Sequence, residues 1–136
     1  SAPFREQSSR VQAVVSDSGP IDLEHGFHHH QVHTAIERFL GGPPDEERLA
    51  AYREASPSSY VSADAPPLLL IYGAADEQVG VETSDLLVSR LQQAGVKDLT
   101  YLRLGTYGHC PHSLLRVPWV AQAVDAFWLR TLPPAK

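Results

Sequence analysis

Apolar positions along this chain fall into two patterns, short unbroken runs of strand length and longer stretches in which they recur every three or four residues. Val11-Gln12-Ala13-Val14-Val15 is β-branched and apolar and is closed by the turn-rich string Ser16-Asp17-Ser18-Gly19-Pro20, which predicts a first strand over 11–15. Leu68-Leu69-Leu70-Ile71-Tyr72 is continuously hydrophobic, as expected of a parallel strand covered on both faces, and Leu99–Leu104 predicts a third strand. Between and after them lie four helical stretches. The first covers 32–40 and is stopped by Gly41-Gly42-Pro43-Pro44. The second covers 45–55 and opens on Asp45, Glu46 and Glu47, acidic residues favoured at a helix N-terminus. The third is capped by Thr83 or Ser84, places Leu87, Leu91 and Ala94 on one face and stops at Gly95. The last covers 117–132 and turns Val120, Val124, Phe127 and Trp128 to a common side, with Pro118 tolerated in the first turn.

Strands alternating with helices predict an α/β fold: one domain over 1–136 with a three-stranded parallel sheet flanked by helices. In such sheets functional groups collect beyond the carboxyl ends of the strands. Asp76, in Tyr72-Gly73-Ala74-Ala75-Asp76, and His109, in Gly105-Thr106-Tyr107-Gly108-His109, both fall there. An acid and a histidine at successive strand ends are two parts of a hydrolytic triad. The carboxylate holds the imidazole in one tautomer, and the imidazole takes a proton from a serine that is otherwise a poor nucleophile. Glycines flanking His109 let its loop bend tightly and keep the ring exposed.

Charge and composition narrow the alternatives. With 136 residues, 43% hydrophobic and 20% charged, the chain has the composition of a globular domain. The net charge of −5 and the lack of a clustered Lys/Arg face argue against a nucleic-acid partner. The longest apolar run, Ala65–Tyr72, is too short to span a bilayer, and Ser1-Ala2-Pro3-Phe4-Arg5-Glu6 does not form a signal peptide. A first residue other than Met fits a processed chain, an excised piece or a truncated frame. The single cysteine, Cys110, excludes an internal disulfide and reads as a buried or incidental thiol.

Two further candidates stand beside the acid and the histidine. Ser18 is the weak candidate for a nucleophile within the chain, in a string that lacks the leading glycine of a nucleophile elbow and suits a turn. His25, His28, His29, His30 and His33 form the one biased segment. On a helix, His25, His29 and His33 would share a face at i, i+4 spacing and chelate zinc or nickel. Gly26 weakens such a helix and no carboxylate is fixed beside it in sequence, so a solvated polar loop is the expectation.

The order of segments carries a family resemblance. Arg10–Val15, Ser18-Gly19-Pro20-Ile21-Asp22-Leu23, Phe39-Leu40-Gly41-Gly42, Ala55-Ser56-Pro57 and Pro66–Gly73, continued by Asp76, Val79 and Gly105–His109, resemble the esterase, lipase and prolyl-oligopeptidase-like branch of the α/β-hydrolases. The resemblance covers nearly the whole chain but only the last three strands of the family's eight-stranded sheet. It departs at Tyr72-Gly73, where His-Gly is usual, and at Val79-Gly80, where Val-Pro is usual. It implies the C-terminal part of a serine carboxylic-ester hydrolase with Asp76 as the orienting acid and His109 as the general base. It also implies an acyl-enzyme mechanism without metal or organic cofactor, and a lid-like insertion over 24–64. The G-x-S-x-G elbow and oxyanion loop of the family have no counterpart among these segments. The chain alone is therefore expected to lack esterase turnover. The competing expectation is a folded association module without catalysis. The first strand, 11–15, would pair with a preceding strand in the family, so its free edge predicts a homodimer or a complementary half bound there.

Overall fold

The computed structural model describes residues 6–113 and 115–132. Its elements are β1 (Val14–Asp17), α1 (Leu23–His29), α2 (His33–Leu40), α3 (Leu49–Ala55), a 3₁₀ turn (Pro57–Tyr60), β2 (Leu68–Gly73), α4 (Val81–Gln93), β3 (Leu99–Leu104) and α5 (Pro118–Thr131). The three strands form one parallel sheet in the order β1-β2-β3, with Val14 opposite Leu68 and Leu68 opposite Leu99.

The run Leu68–Tyr72 takes the central strand because only that position needs apolar side chains on both faces. Leu69 and Ile71 point to one side, where Val117, Val120, Val124 and Phe127 of α5 and its lead-in cover them together with Leu104. Leu70 and Tyr72 point to the other, against Leu87 and Leu91 of α4, Ile21 and Val79. Each of these side chains contributes on the order of 1.5–3 kcal/mol by leaving water. A third cluster, Leu23, Ile36 and Tyr52, joins α1, α2 and α3, which fill the segment between β1 and β2. The Tyr52 hydroxyl donates to the carbonyl of Gly42 at 2.8 Å and so fastens α3 to the turn that ends α2.

Several boundaries differ from the sequence expectation. The first strand is Val14–Asp17 rather than 11–15. Val11 is 53% exposed, and the polar Ser16 and Asp17 belong to the strand, with Asp17 opposite Ile71. The expected polar loop over the histidines is helix α1, started by Asp22, whose Oδ1 accepts from the amide of His25 at 3.0 Å. Gly26, read as a helix weakener, is where Ile36 of α2 packs against α1. A Cβ there would sit 3.2 Å from Cδ1 of Ile36. Helix α3 begins at Leu49 rather than at residue 45, because Asp45 accepts from the amide of Arg48 at 3.1 Å and forms a turn ahead of it. Helix α4 begins at Val81, and Thr83 and Ser84 lie inside it with their hydroxyls donating to the carbonyls of Gly80 and Val81. Among the described residues no helix is long and apolar enough to cross a membrane.

Candidate active site

Asp76 and His109 meet at the carboxyl ends of β2 and β3. Beyond Gly73 the chain turns at once: the amide of Ala74 donates to the carbonyl of Leu104, that of Ala75 to Tyr107 and that of Asp76 to Gly73. The turn buries the Asp76 side chain completely, with Oδ1 accepting from the amides of Gln78 and Val79, both at 2.9 Å. Its other oxygen, Oδ2, lies 2.8 Å from Nδ1 of His109. A carboxylate accepts, so the proton of the neutral imidazole sits on Nδ1 and the lone pair of Nε2 is left free on a ring that is 22% exposed. Gly73 makes the approach possible. A Cβ there would collide with the carbonyl oxygens of Tyr107 and Gly108, so the loop carrying His109 can press onto the end of β2 only over a glycine.

The same loop is braced from β1. Ser18, at φ 54° and 2% exposed, donates its amide to Ile71 and accepts the amide of Cys110 on Oγ at 3.0 Å. Asp17 accepts from the amide and hydroxyl of Ser113 at 2.8 and 2.7 Å. The hydroxyl of Ser18 is therefore engaged in holding the segment that follows His109. The thiol of Cys110 lies 3.6 Å from the carbonyl of Asp17. Burial, helped by the charges of Asp17 and Asp76 and opposed by hydrogen bonding to Ser113 and Ser18, pushes its pKa up, which keeps it a neutral thiol at pH 7.

Asp76 also borders an open cleft of about 580 Å³ whose far wall is formed by Phe27 and the histidines at the end of α1. The trio His25, His29 and His33 does not form there. His29 stacks on His25 with ring centroids 4.4 Å apart, while Nδ1 of His33 donates to the carbonyl of His30 at 3.4 Å. The group brought together is instead His25, His30 and Glu82, with Nε2 of His30 2.6 Å and Nε2 of His25 3.2 Å from the same oxygen, Oε1 of Glu82. Partial burial alone would raise the pKa of Glu82, but hydrogen bonds from His30, its own backbone and His25 outweigh it and hold the carboxyl below its usual value.

Three comparisons with known proteins place the chain as a whole. The family model described as BD-FAE matches residues 2–91, two thirds of the sequence. The chain belongs to the BD-FAE family. It is 31% identical over 129 residues to the probable carboxylic ester hydrolase LipM of Mycobacterium tuberculosis, matching 91% of this chain and 30% of LipM. It is 28% identical to esterase LipQ of the same organism, again over 91% of the chain and 30% of the relative. The BD-FAE chain thus spans about a third of the length of these curated relatives. Among solved structures it superposes on an acylaminoacyl peptidase of Pyrococcus horikoshii with a TM-score of 0.74 at 21% identity, over 96% of this chain and 22% of that one. A thermophilic esterase of Thermogutta terrifontis gives 0.69 at 19% identity, over 100% and 50%. The fold is that of the C-terminal portion of an α/β-hydrolase.

Within this BD-FAE chain, Tyr72 fills the position where the resemblance leads one to expect a histidine. Its hydroxyl donates to the carbonyl of Gly19 at 2.7 Å and lies 3.0 Å from Oγ of Ser16, which ties β2 to the turn after β1. Burial pushes its pKa up to about 12. Sequence reasoning missed Asp17 and the bracing role of Ser18, a residue it names only as a weak nucleophile candidate or turn serine, and it missed Glu82. The strand shift explains the first two, since a polar pair at a parallel strand end is a signal only once the strand is known to reach it. Glu82 carries no local signal, because its partners are more than fifty residues away.

Proposed function

We propose that this BD-FAE chain supplies the acid and the base of a Ser-His-Asp triad in a serine carboxylic-ester hydrolase. Asp76 is the orienting carboxylate, His109 the general base, and the nucleophilic serine comes from another segment of the protein. The observation that carries this reading is the 2.8 Å contact from Nδ1 of His109 to a wholly buried Asp76 at two adjacent strand ends. Nε2 then accepts the serine proton as Oγ attacks the ester carbonyl and returns it to the departing alcohol. In the second half-reaction it deprotonates the water that releases the acid and regenerates the serine. The names of LipM and LipQ support an ester substrate. The cleft between Asp76 and the end of α1 supports a role for α1–α3 as its lid.

The test is hydrolysis of p-nitrophenyl acetate by the whole protein. His109→Ala and Asp76→Asn are expected to lower kcat by about 10³- to 10⁴-fold with fold and oligomeric state unchanged. The 136-residue chain alone should neither turn over substrate nor react with a fluorophosphonate. Undiminished hydrolysis in His109→Ala, or labelling of a serine in the isolated chain, overturns the assignment.

A further inference from the structure

We propose that His25, His30 and Glu82 form a binding site for a zinc-like divalent cation that clamps α1 to the first turn of α4. Three donors come from separate places: His25 from α1, His30 from the residue at which the chain leaves that helix, and Glu82 from the first turn of α4. Two imidazole nitrogens and one carboxylate oxygen are the donor types of zinc sites. Their ligand atoms all lie within 4.8 Å of one another.

The dimensions suit such an ion. With metal–ligand distances of about 2.0–2.2 Å, donors on a tetrahedron stand roughly 3.3 Å apart. His25 and Glu82 are already at 3.2 Å, and the 2.6 Å contact from His30 needs only a small swing of Glu82, whose side chain is 55% exposed. The ring of His30 is held still, with 6% of its side chain exposed. Gly80 supplies an independent sign. A Cβ at that position would run into both the Glu82 carboxylate and Nε2 of His30, so the glycine keeps the space at the cluster free. Its φ of −61° is open to any residue, which leaves room, rather than backbone strain, as what its missing side chain provides. His30 and Glu82 also line the cleft beside Asp76. The ion would fix the wall opposite Asp76 without taking part in proton transfer at His109.

The whole protein, prepared without a histidine tag and stripped with EDTA, is titrated with ZnCl₂ by calorimetry, and with CoCl₂ while the visible d–d bands are recorded. One equivalent is expected to bind with a tetrahedral cobalt spectrum and a rise in Tm. His30→Ala and Glu82→Gln should weaken binding by more than about tenfold. Gly80→Ala should do the same with every ligand still present, whereas the double variant His28→Ala/His33→Ala should bind as the parent does. Circular dichroism establishes that each variant is folded. Absence of saturable uptake overturns the proposal. So does adventitious binding only, in which uptake survives Gly80→Ala and Glu82→Gln but is lost with His28 and His33. Because the readout is metal uptake, the result stands whether or not His109 proves to be a catalytic base.

Discussion

His109 and the His25/His30 pair are both histidines against a carboxylate, and the molecule builds them in opposite ways. Asp76 has no exposed side-chain surface, takes two backbone amides on one oxygen and the imidazole on the other, and sits on a turn whose geometry depends on a glycine. Glu82 is half exposed, receives both imidazoles on one oxygen and hangs from a helix by a flexible side chain. Backbone amides fix a carboxylate because they cannot rotate away, whereas a half-exposed Glu keeps its rotamer freedom. The first arrangement suits a group that must stay put through a reaction. The second suits one that closes around a guest.

Glycine substitution separates the two most sharply. Gly73→Ala forces a Cβ into two backbone carbonyls and should cost about 3 kcal/mol in urea unfolding, while Gly80→Ala meets only side-chain ends and should cost less than about 1 kcal/mol. Equal losses would erase the distinction between a backbone-built and a side-chain-built site. Removing charge comes next: Asp76→Asn should lose about 2 kcal/mol because a buried acceptor of several hydrogen bonds is altered, and Glu82→Gln less than about 1 kcal/mol because the Glu82 side chain is itself half in water.

Alkaline unfolding probes the packing beneath the first site. Burial raises both Tyr72 and Tyr101 from 10.0 to about 12. Their protons are held more tightly in the folded state, so this stability is whole below pH 10 and is lost as pH rises toward 12. For Tyr72 the loss is on the order of 2 kcal/mol. Tyr72→Phe should flatten the profile measured by urea midpoints at pH 9–12, and a profile unchanged by the substitution would contradict the burial argument. The smallest effect belongs to Asp98, whose carboxyl is held below its ordinary value of 3.8 by hydrogen bonding to Arg130. That contribution is present above the ordinary value and disappears as pH falls through the lower one. On an exposed pair screened by water it should be the weakest of these effects, measured as the difference between Arg130→Ala and its parent at pH 7 and pH 2.

How much of this was legible in the sequence follows the same division. β2, β3, α4 and α5 show in the chain because a two-faced strand and one-faced helices write their burial directly into residue order, as Leu69–Tyr72 and Val120, Val124 and Phe127 do. Asp76 and His109 were legible for the same reason, as polar residues placed just past such runs. β1 was displaced because Ser16 and Asp17 read as turn residues. Asp17 is held in the strand end by hydrogen bonds to Ser113, almost a hundred positions away. α1 was hidden because histidines and a glycine have low helix propensity, and its reasons for being a helix are the cap at Asp22 and the face that Gly26 opens to Ile36. Both misses have one cause: tertiary contacts overrode local preference.

The uneven spacing of the strands sets an order of assembly. β2 and β3 are joined through α4 across about 25 residues, whereas β1 reaches β2 only across about 50. Each doubling of loop length adds roughly 0.6 kcal/mol of closure entropy, so the β2-α4-β3 unit should collapse first. The Leu23, Ile36 and Tyr52 cluster then shortens the longer path by condensing α1–α3 before β1 docks. Asp17 and Ser18 should then reach the loop after His109 only in that final step, which would brace the histidine last; amides of Cys110 and Ser113 gaining hydrogen-exchange protection before those of Leu69–Tyr72 during refolding would contradict this order.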